Sequence, residues 1–236
     1  MRAERAPTEE SSQADDLASL FKAFVADASF PCVGAKSALS RGGLTVGRAR
    51  NITSAWDDLQ IYAQIKAFVI RHHADPQAFR SLVILFDGPT DLDEPSFEQA
   101  LWARAQSLSD KDVWLGEVQN SEVASDVEDP RFALSFCGEA FFLVGLHPGA
   151  SRPARRFTSP AIVFNPHEQF QQLRASGRYE SMRRAIIRRD VALSGSENPM
   201  LARFGEMSEA RQYSGRAVDA GWRCPFSSKA RKLDDT

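Results

Sequence analysis

The stretch from Phe136 to His167, FCGEAFFLVGLHPGASRPARRFTSPAIVFNPH, constrains the fold of this chain more than any other. It holds two apolar runs, residues 140–146 and 161–164, each short, rich in aromatic or β-branched residues and bounded by Gly, Pro or Ser, so each reads as a strand. The segment between them, HPGASRPARRFTSP, is too long for a tight turn, and an irregular loop of that length inside a compact domain is usually functional or disordered. It begins with His147 and carries Arg152, Arg155 and Arg156. A strand-end histidine followed at once by cationic side chains suits a site that binds iron and anions together.

Upstream, residues 132–136 form another apolar run. The short turn Cys137-Gly138-Glu139 separates it from the 140–146 strand, so the two pair antiparallel. Residues 82–86 give a further strand, ended by Asp87-Gly88-Pro89, and 113–118 are expected as a short one. Helical spacing of apolar residues marks 15–26, 54–73 and 96–107. Asn165-Pro166-His167-Glu168 reads as a capped helix start, with Asn165 at the N-cap, Pro166 at N1 and an interruption near Gly177. His72 and His73 fall in the last turn of the second helix and read as capping or surface residues. Residues 120–130 read as a polar loop. Strands and helices do not alternate regularly. The expectation is therefore a single α+β domain, with a mainly antiparallel sheet of about five strands packed with helices, over residues 14–226. Residues 1–13 and 227–236 read as loose tails.

Charged residues are 25% and hydrophobic residues 43% of the 236, enough for a sizeable core in one domain. The formal charge of −2 gives no overall attraction to nucleic acid, which would otherwise be the partner class for so many arginines. No apolar run approaches the roughly 18 residues of a membrane span. The polar N-terminus shows no secretory signal, and three widely spaced cysteines (Cys32, Cys137, Cys224) read as reduced thiols of a cytoplasmic protein. Cys32 reads either as a small buried residue or as the wall of a binding site.

Five segments in order, FPCVGAKSAL, FCGEAFFLVGLHPGASRPARRF, FNPHEQFQQLR, SEARQYSGR and WRCPF, resemble the YqcI/YcgG family over roughly residues 30–226. The resemblance implies haem b and, by analogy with members of known activity, a haem-dependent oxygenase. Such a monooxygenase N-hydroxylates the guanidine group of arginine or an arginine-like compound. It would need dioxygen and an external reductant, either an electron-donor protein or a small molecule, because no flavin or nicotinamide fingerprint is present. Oxygen activation by haem needs an axial ligand, cations for the propionates and a shielding pocket. His147 is the expected iron ligand, with His167 and Cys224 as alternatives. Ser151, Arg152, Arg155 and Arg156 are the expected propionate partners. Pairing of the flanking strands would set His147 and His167 at opposite ends of the sheet, so that only one can ligate iron. A guanidinium substrate calls for a carboxylate, for which Glu139 ranks first and Asp87, Glu117 and Glu209 follow. Two other readings stay open. One is a haem-binding sensor or carrier without turnover; the other is a haem-free protein that binds an anion or nucleic acid through its arginines. Homo-oligomerisation is left open by the sequence.

Overall fold

The computed structural model describes residues 9–76, 79–203 and 205–228, with side chains from residue 16 onward. The elements in chain order are α1 (Glu9–Ala26), α2 (Val33–Ser40), β1 (Leu44–Asn51), α3 (Asp58–Ala74), β2 (Ser81–Gly88), α4 (Glu94–Trp114), β3 (Leu134–Phe136), β4 (Glu139–Leu146), β5 (Ala161–Pro166), α5 (His167–Ala175), α6 (Tyr179–Ser194) and α7 (Ala210–Tyr213). The strands form one five-stranded sheet in the order β1-β2-β5-β4-β3. Only β1 and β2 run parallel, joined through α3 as a parallel pair requires, and the remaining pairs are antiparallel. The α+β class and the five-stranded, mainly antiparallel sheet agree with the sequence reading.

Both faces of the sheet are covered, and strand alternation decides which residue goes where. On β2, Leu82, Ile84 and Phe86 face α3 and α4, while Val83 and Leu85 face α1. β5 repeats this, with Ile162 and Phe164 on the first face and Ala161 and Val163 on the second. On β4, Phe141 and Leu143 share the α3/α4 core, and Val144 and Leu146 join the α1 side. Each fully buried aliphatic or aromatic side chain of this kind contributes roughly 1.5–3 kcal/mol. Gly145 continues the α3/α4 register, and a Cβ there would lie 2.7 Å from Phe97 and Leu101, so only glycine lets α4 settle this close.

The turn between β3 and β4 is the two-residue Cys137-Gly138, with φ of 54° and 77°. Positive φ at both central positions belongs to a type I′ hairpin.

Several elements differ from the sequence reading. α1 starts at Glu9, ahead of the expected Asp15, while residues 1–8 and 229–236 of the anticipated tails lie outside the described residues. Residues 113–118 are not a strand: α4 runs on to Trp114 and closes at Gly116, whose φ is +80°. α2 and the edge strand β1 went unanticipated. β1 carries few apolar residues, and its arginines are held by carboxylates, Arg48 by Asp87 and Arg50 by Asp57. Such charged edges also discourage pairing with other chains. Asn165 does not cap α5. β5 continues through Pro166, and the Asn165 side chain accepts from Ser81 Oγ and donates to the Phe142 carbonyl. Among the described residues, no helix is long and apolar enough to cross a membrane.

Candidate functional site

A cavity of about 280 Å³ lies on the α1 face of the sheet. That is close to the lower end of the roughly 300–1,000 Å³ typical of small-molecule sites. Its floor is Val83, Val144, Leu146 and Val163, and its lid is Met182, Ile186 and Ile187 of α6. Phe21 and Val25 of α1 close one side, with Cys32 and Gly34 at the start of α2. The polar groups on this wall are few: Arg152, Arg155, Arg174, Arg183, Asn165, Asp190, Glu209 and Gln212 stand among the apolar side chains.

Cys32 caps α2, its sulfur accepting from the Ala35 amide at 3.4 Å. Burial raises its thiol pKa, opposed by hydrogen bonds from backbone amides and by the nearby Arg155 charge. Of the two sequence readings of Cys32, the structure thus selects the wall of a cavity. Glu209 is buried, with Oε1 3.4 Å from His167 Nε2 and Oε2 without a hydrogen-bond partner. Arg152 Nε is buried and without a partner in the same way. Unsatisfied charged atoms on an apolar wall cost free energy, roughly 1–3 kcal/mol each or more, unless a ligand meets them.

The arginine loop is more structural than expected. Arg152 donates to Asp190 Oδ2 at 2.5 Å and to the Ser196 carbonyl at 2.9 Å. Arg155 donates from Nη1 to the carbonyls of Gly145 (3.0 Å) and Tyr213 (3.3 Å), and from Nη2 to that of Gln212 (3.1 Å). Burial lowers its pKa to about 10, still a cation at neutral pH. Arg156 closes its own loop through the Ala150 and Ser151 carbonyls, and Ser151 donates to Glu94 Oε1. Ser151 and Arg156 are not on the cavity wall, whereas Arg152 and Arg155 are. Arg174 and Arg183, from α5 and α6, bring further cations to the wall.

None of the three anticipated iron ligands faces this cavity. His147 follows Gly145 by two residues and therefore points to the α4 face, where its ring stacks on Phe97 at 4.2 Å. It is buried, and that burial lowers its pKa. Cys224 packs on the edge of the α3/α4 core, its thiol raised to about 12 by burial. His167 opens α5 and lines a separate polar pocket beside Glu139 and Glu168. His147 and His167 do stand at opposite ends of the β4–β5 ladder, as strand pairing requires.

Glu139, ranked first for substrate, starts β4 on the α3/α4 face, whereas His147 lies just past the other end. At ~3.3 Å per residue the two are about 26 Å apart, so they cannot share one site. Glu139 is buried and meets His73 Nε2 at 3.0 Å. Asp87 and Glu117 are held by Arg48 and Lys66 at the surface, which leaves Glu209 as the one carboxylate from the sequence-ranked set on the cavity wall.

The sequence reading of His72 as a capping or surface residue does not hold. His72 is fully buried, and it extends the buried stripe Ile61, Ile65, Phe68 at helical spacing. That spacing was the available signal.

A protein-family model, the YqcI/YcgG family, matches residues 21–227. This chain belongs to the YqcI/YcgG family. The match spans every element from the C-terminal half of α1 to the segment after Phe226, so the cavity lies wholly inside the shared region. A member from Bacillus subtilis (strain 168), the uncharacterized protein YcgG, is 27% identical over 211 residues, covering 84% of this chain and 81% of that protein. No solved structure matches.

The cavity wall carries side chains of the kinds that a haem site needs. It offers apolar surfaces for a flat macrocycle, guanidinium groups for carboxylates and one thiol, Cys32. No imidazole lies among the described lining residues.

Proposed function

We propose that this family member is a haem-dependent oxygenase that N-hydroxylates a guanidine group, with cofactor and substrate both in the cavity between the sheet and α6. The observation that carries the proposal is Glu209, a buried carboxylate with an unpartnered oxygen on a mainly apolar wall, whereas the wall's other carboxylate, Asp190, is paired with Arg152. Cys32 would ligate the iron as its thiolate. Arg183 and Arg174 would pair with the propionates, and Arg152 would add its unpartnered Nε. Bound there, haem supplies dioxygen activation, and a thiolate ligand favours O–O cleavage; the electrons come from an external reductant.

The chain's own residues do the rest. Glu209 accepts two N–H groups of a planar guanidinium in fork geometry, which leaves the third nitrogen free to react. His167, 3.4 Å behind Glu209, fixes the orientation of the carboxylate and provides a site for a proton. The Arg152–Asp190 pair holds α6 to the arginine loop and so keeps the lid closed over the site. The apolar walls exclude water, which strengthens each of these contacts. Positioning of this kind supplies roughly 7–11 kcal/mol of barrier reduction when the geometry is near-attack. Three free thiols accord with a reducing, cytoplasmic setting.

The test is incubation of hemin-reconstituted protein with arginine, other guanidines, dioxygen and a reductant, followed by mass spectrometry. The expected product carries one added oxygen on a guanidine nitrogen. Haem binding without product from any guanidine would leave a haem carrier and overturn the enzymatic reading.

A further inference from the structure

Three of the four histidines, His72, His73 and His167, gather about Glu139 and Glu168, outside the cavity lining, and the proposed oxygenase uses only one of them. We infer that His72, Glu139 and Glu168 form a binding site for a divalent first-row transition-metal ion, separate from the haem. Their ligand atoms all lie within 4.8 Å of one another. They come from three elements: the last turn of α3, the first residue of β4 and the first turn of α5. The sheet register, Phe136 opposite Glu139 and Phe141 opposite Pro166, fixes two of these backbones relative to each other.

Burial singles this cluster out. His72 is 0% exposed, yet neither ring nitrogen has a hydrogen-bond partner; Nε2 lies 3.3 Å from Glu168 Oε2. A buried imidazole with no well-formed hydrogen bond costs free energy, and a metal ion would meet it. The ring lies parallel to Phe68, with an interplanar angle of 2° and centroids 6.3 Å apart, so its plane is set in advance. Glu139 is 5% exposed and braced by His73, and a hydrogen-bonded carboxylate is how ligands are held for metals. Glu168 is the most exposed member: its side chain is 40% exposed, and Gln172 donates to its other oxygen at 3.0 Å.

Ligand distances of about 2.0–2.2 Å require donors closer together than the present 4.8 Å limit, so the three side chains must draw in around the ion; His72 Nε2 and Glu168 Oε2 already lie 3.3 Å apart. One imidazole with two carboxylates selects Mn²⁺, Fe²⁺, Co²⁺ or Zn²⁺ over Ca²⁺ and Mg²⁺, which take oxygen alone. Three protein ligands leave coordination positions open, as in catalytic rather than structural sites. Those positions face a polar pocket of about 270 Å³, lined also by Asn120, Glu122, His167 and Gln171.

The experiment uses the full, tag-free chain without hemin, titrated with Co²⁺ and Mn²⁺ by calorimetry and, for Co²⁺, by visible absorption. The expected result is one ion per chain, with d–d bands and no sulfur-to-cobalt charge transfer, since the cysteines are not ligands. Glu168→Gln sits on the exposed side and leaves the fold intact; it and Glu139→Gln should each weaken binding at least tenfold. Glu122→Gln, beside the ligands, should change it less than threefold. No saturable binding, thiolate charge-transfer bands, or affinity unchanged in both Glu168→Gln and Glu139→Gln would each overturn the assignment. Because hemin is absent throughout, the outcome stands apart from that of the oxygenase proposal.

Discussion

Replacing Arg155 by Met separates two roles for its guanidinium, propionate partner and structural tie. The sequence places Arg155 among the propionate partners; the structure gives its guanidinium three backbone carbonyls, from Gly145, Gln212 and Tyr213. It therefore ties β4 and the arginine loop to the segment that carries Glu209. Hydrogen bonds to charged groups contribute roughly 1.5–3 kcal/mol each, and they do not add in full. Met fills much of the stem volume but donates nothing, and Arg155 is half-buried, so water reaches part of the exposed set. A loss of roughly 2–4 kcal/mol follows. At roughly 2–4 °C per kcal/mol for a chain of this size, Tm should fall by about 4–16 °C. The assay is thermal and urea unfolding of the haem-free protein, run beside Arg183→Met, which should leave Tm nearly unchanged but lower hemin affinity. An Arg155→Met protein with unaltered Tm that fails to retain hemin, beside an Arg183→Met protein that retains it, would refute the structural role.

Glu209→Gln should keep the hemin spectrum and weaken guanidine binding by more than tenfold, about 1.4 kcal/mol, measured by substrate-induced spectral change. His147 gives a pH dependence with a definite sign. Its folded pKa is lowered, chiefly by burial and against the raising effect of Glu94, so the unfolded chain takes up its proton first on acidification. Its contribution is complete above the ordinary histidine pKa of about 6.5 and is lost as pH falls below it. His147→Gln should flatten that part of the curve of urea midpoint against pH. Asp58 and Arg104 form a buried pair at 3.1 Å, with side-chain exposures of 0% and 6%. Asp58→Ala, which strands the guanidinium, should cost roughly 3–5 kcal/mol by urea unfolding.

Much of the architecture was legible because strand periodicity is local. Residues 140–146 and 161–164 declared themselves as strands, and the short turn at Cys137-Gly138-Glu139 fixed residues 132–136 as a partner of the first. β1 was not legible: Leu44 and Val46 are its main apolar residues, and its pairing with β2 depends on a crossover through α3 that no local pattern announces. The extent of α4 was obscured because Val113, Trp114, Leu115 and Val118 make a short apolar run rich in strand-forming residues, while the helix simply continues to Trp114. Within the site, the arginine loop was found but its role was misjudged, since sequence cannot show that backbone carbonyls already claim Arg155 and Arg156. His147 was assigned to the iron because it adjoins those arginines in sequence; the two-residue period then turns it to the opposite face. Cys32 and Glu209, far apart in sequence, meet on one wall only through α2 and the loop before α7. Glu209 had been ranked with the substrate carboxylates, and Cys32 read as a wall residue, but nothing local joined them. His72 could have been found from its place on the Ile61–Ile65–Phe68 stripe.

The most direct measurement on the central claim is the ferrous–carbon monoxide spectrum of the hemin-reconstituted chain beside that of Cys32→Ser. The account expects stoichiometric haem with the strongly red-shifted band of thiolate ligation, and loss of that band in Cys32→Ser but not in His147→Gln, His167→Gln or Cys224→Ser. A colourless protein would contradict it, as would an imidazole-type spectrum that persists in Cys32→Ser and disappears with His147 or His167.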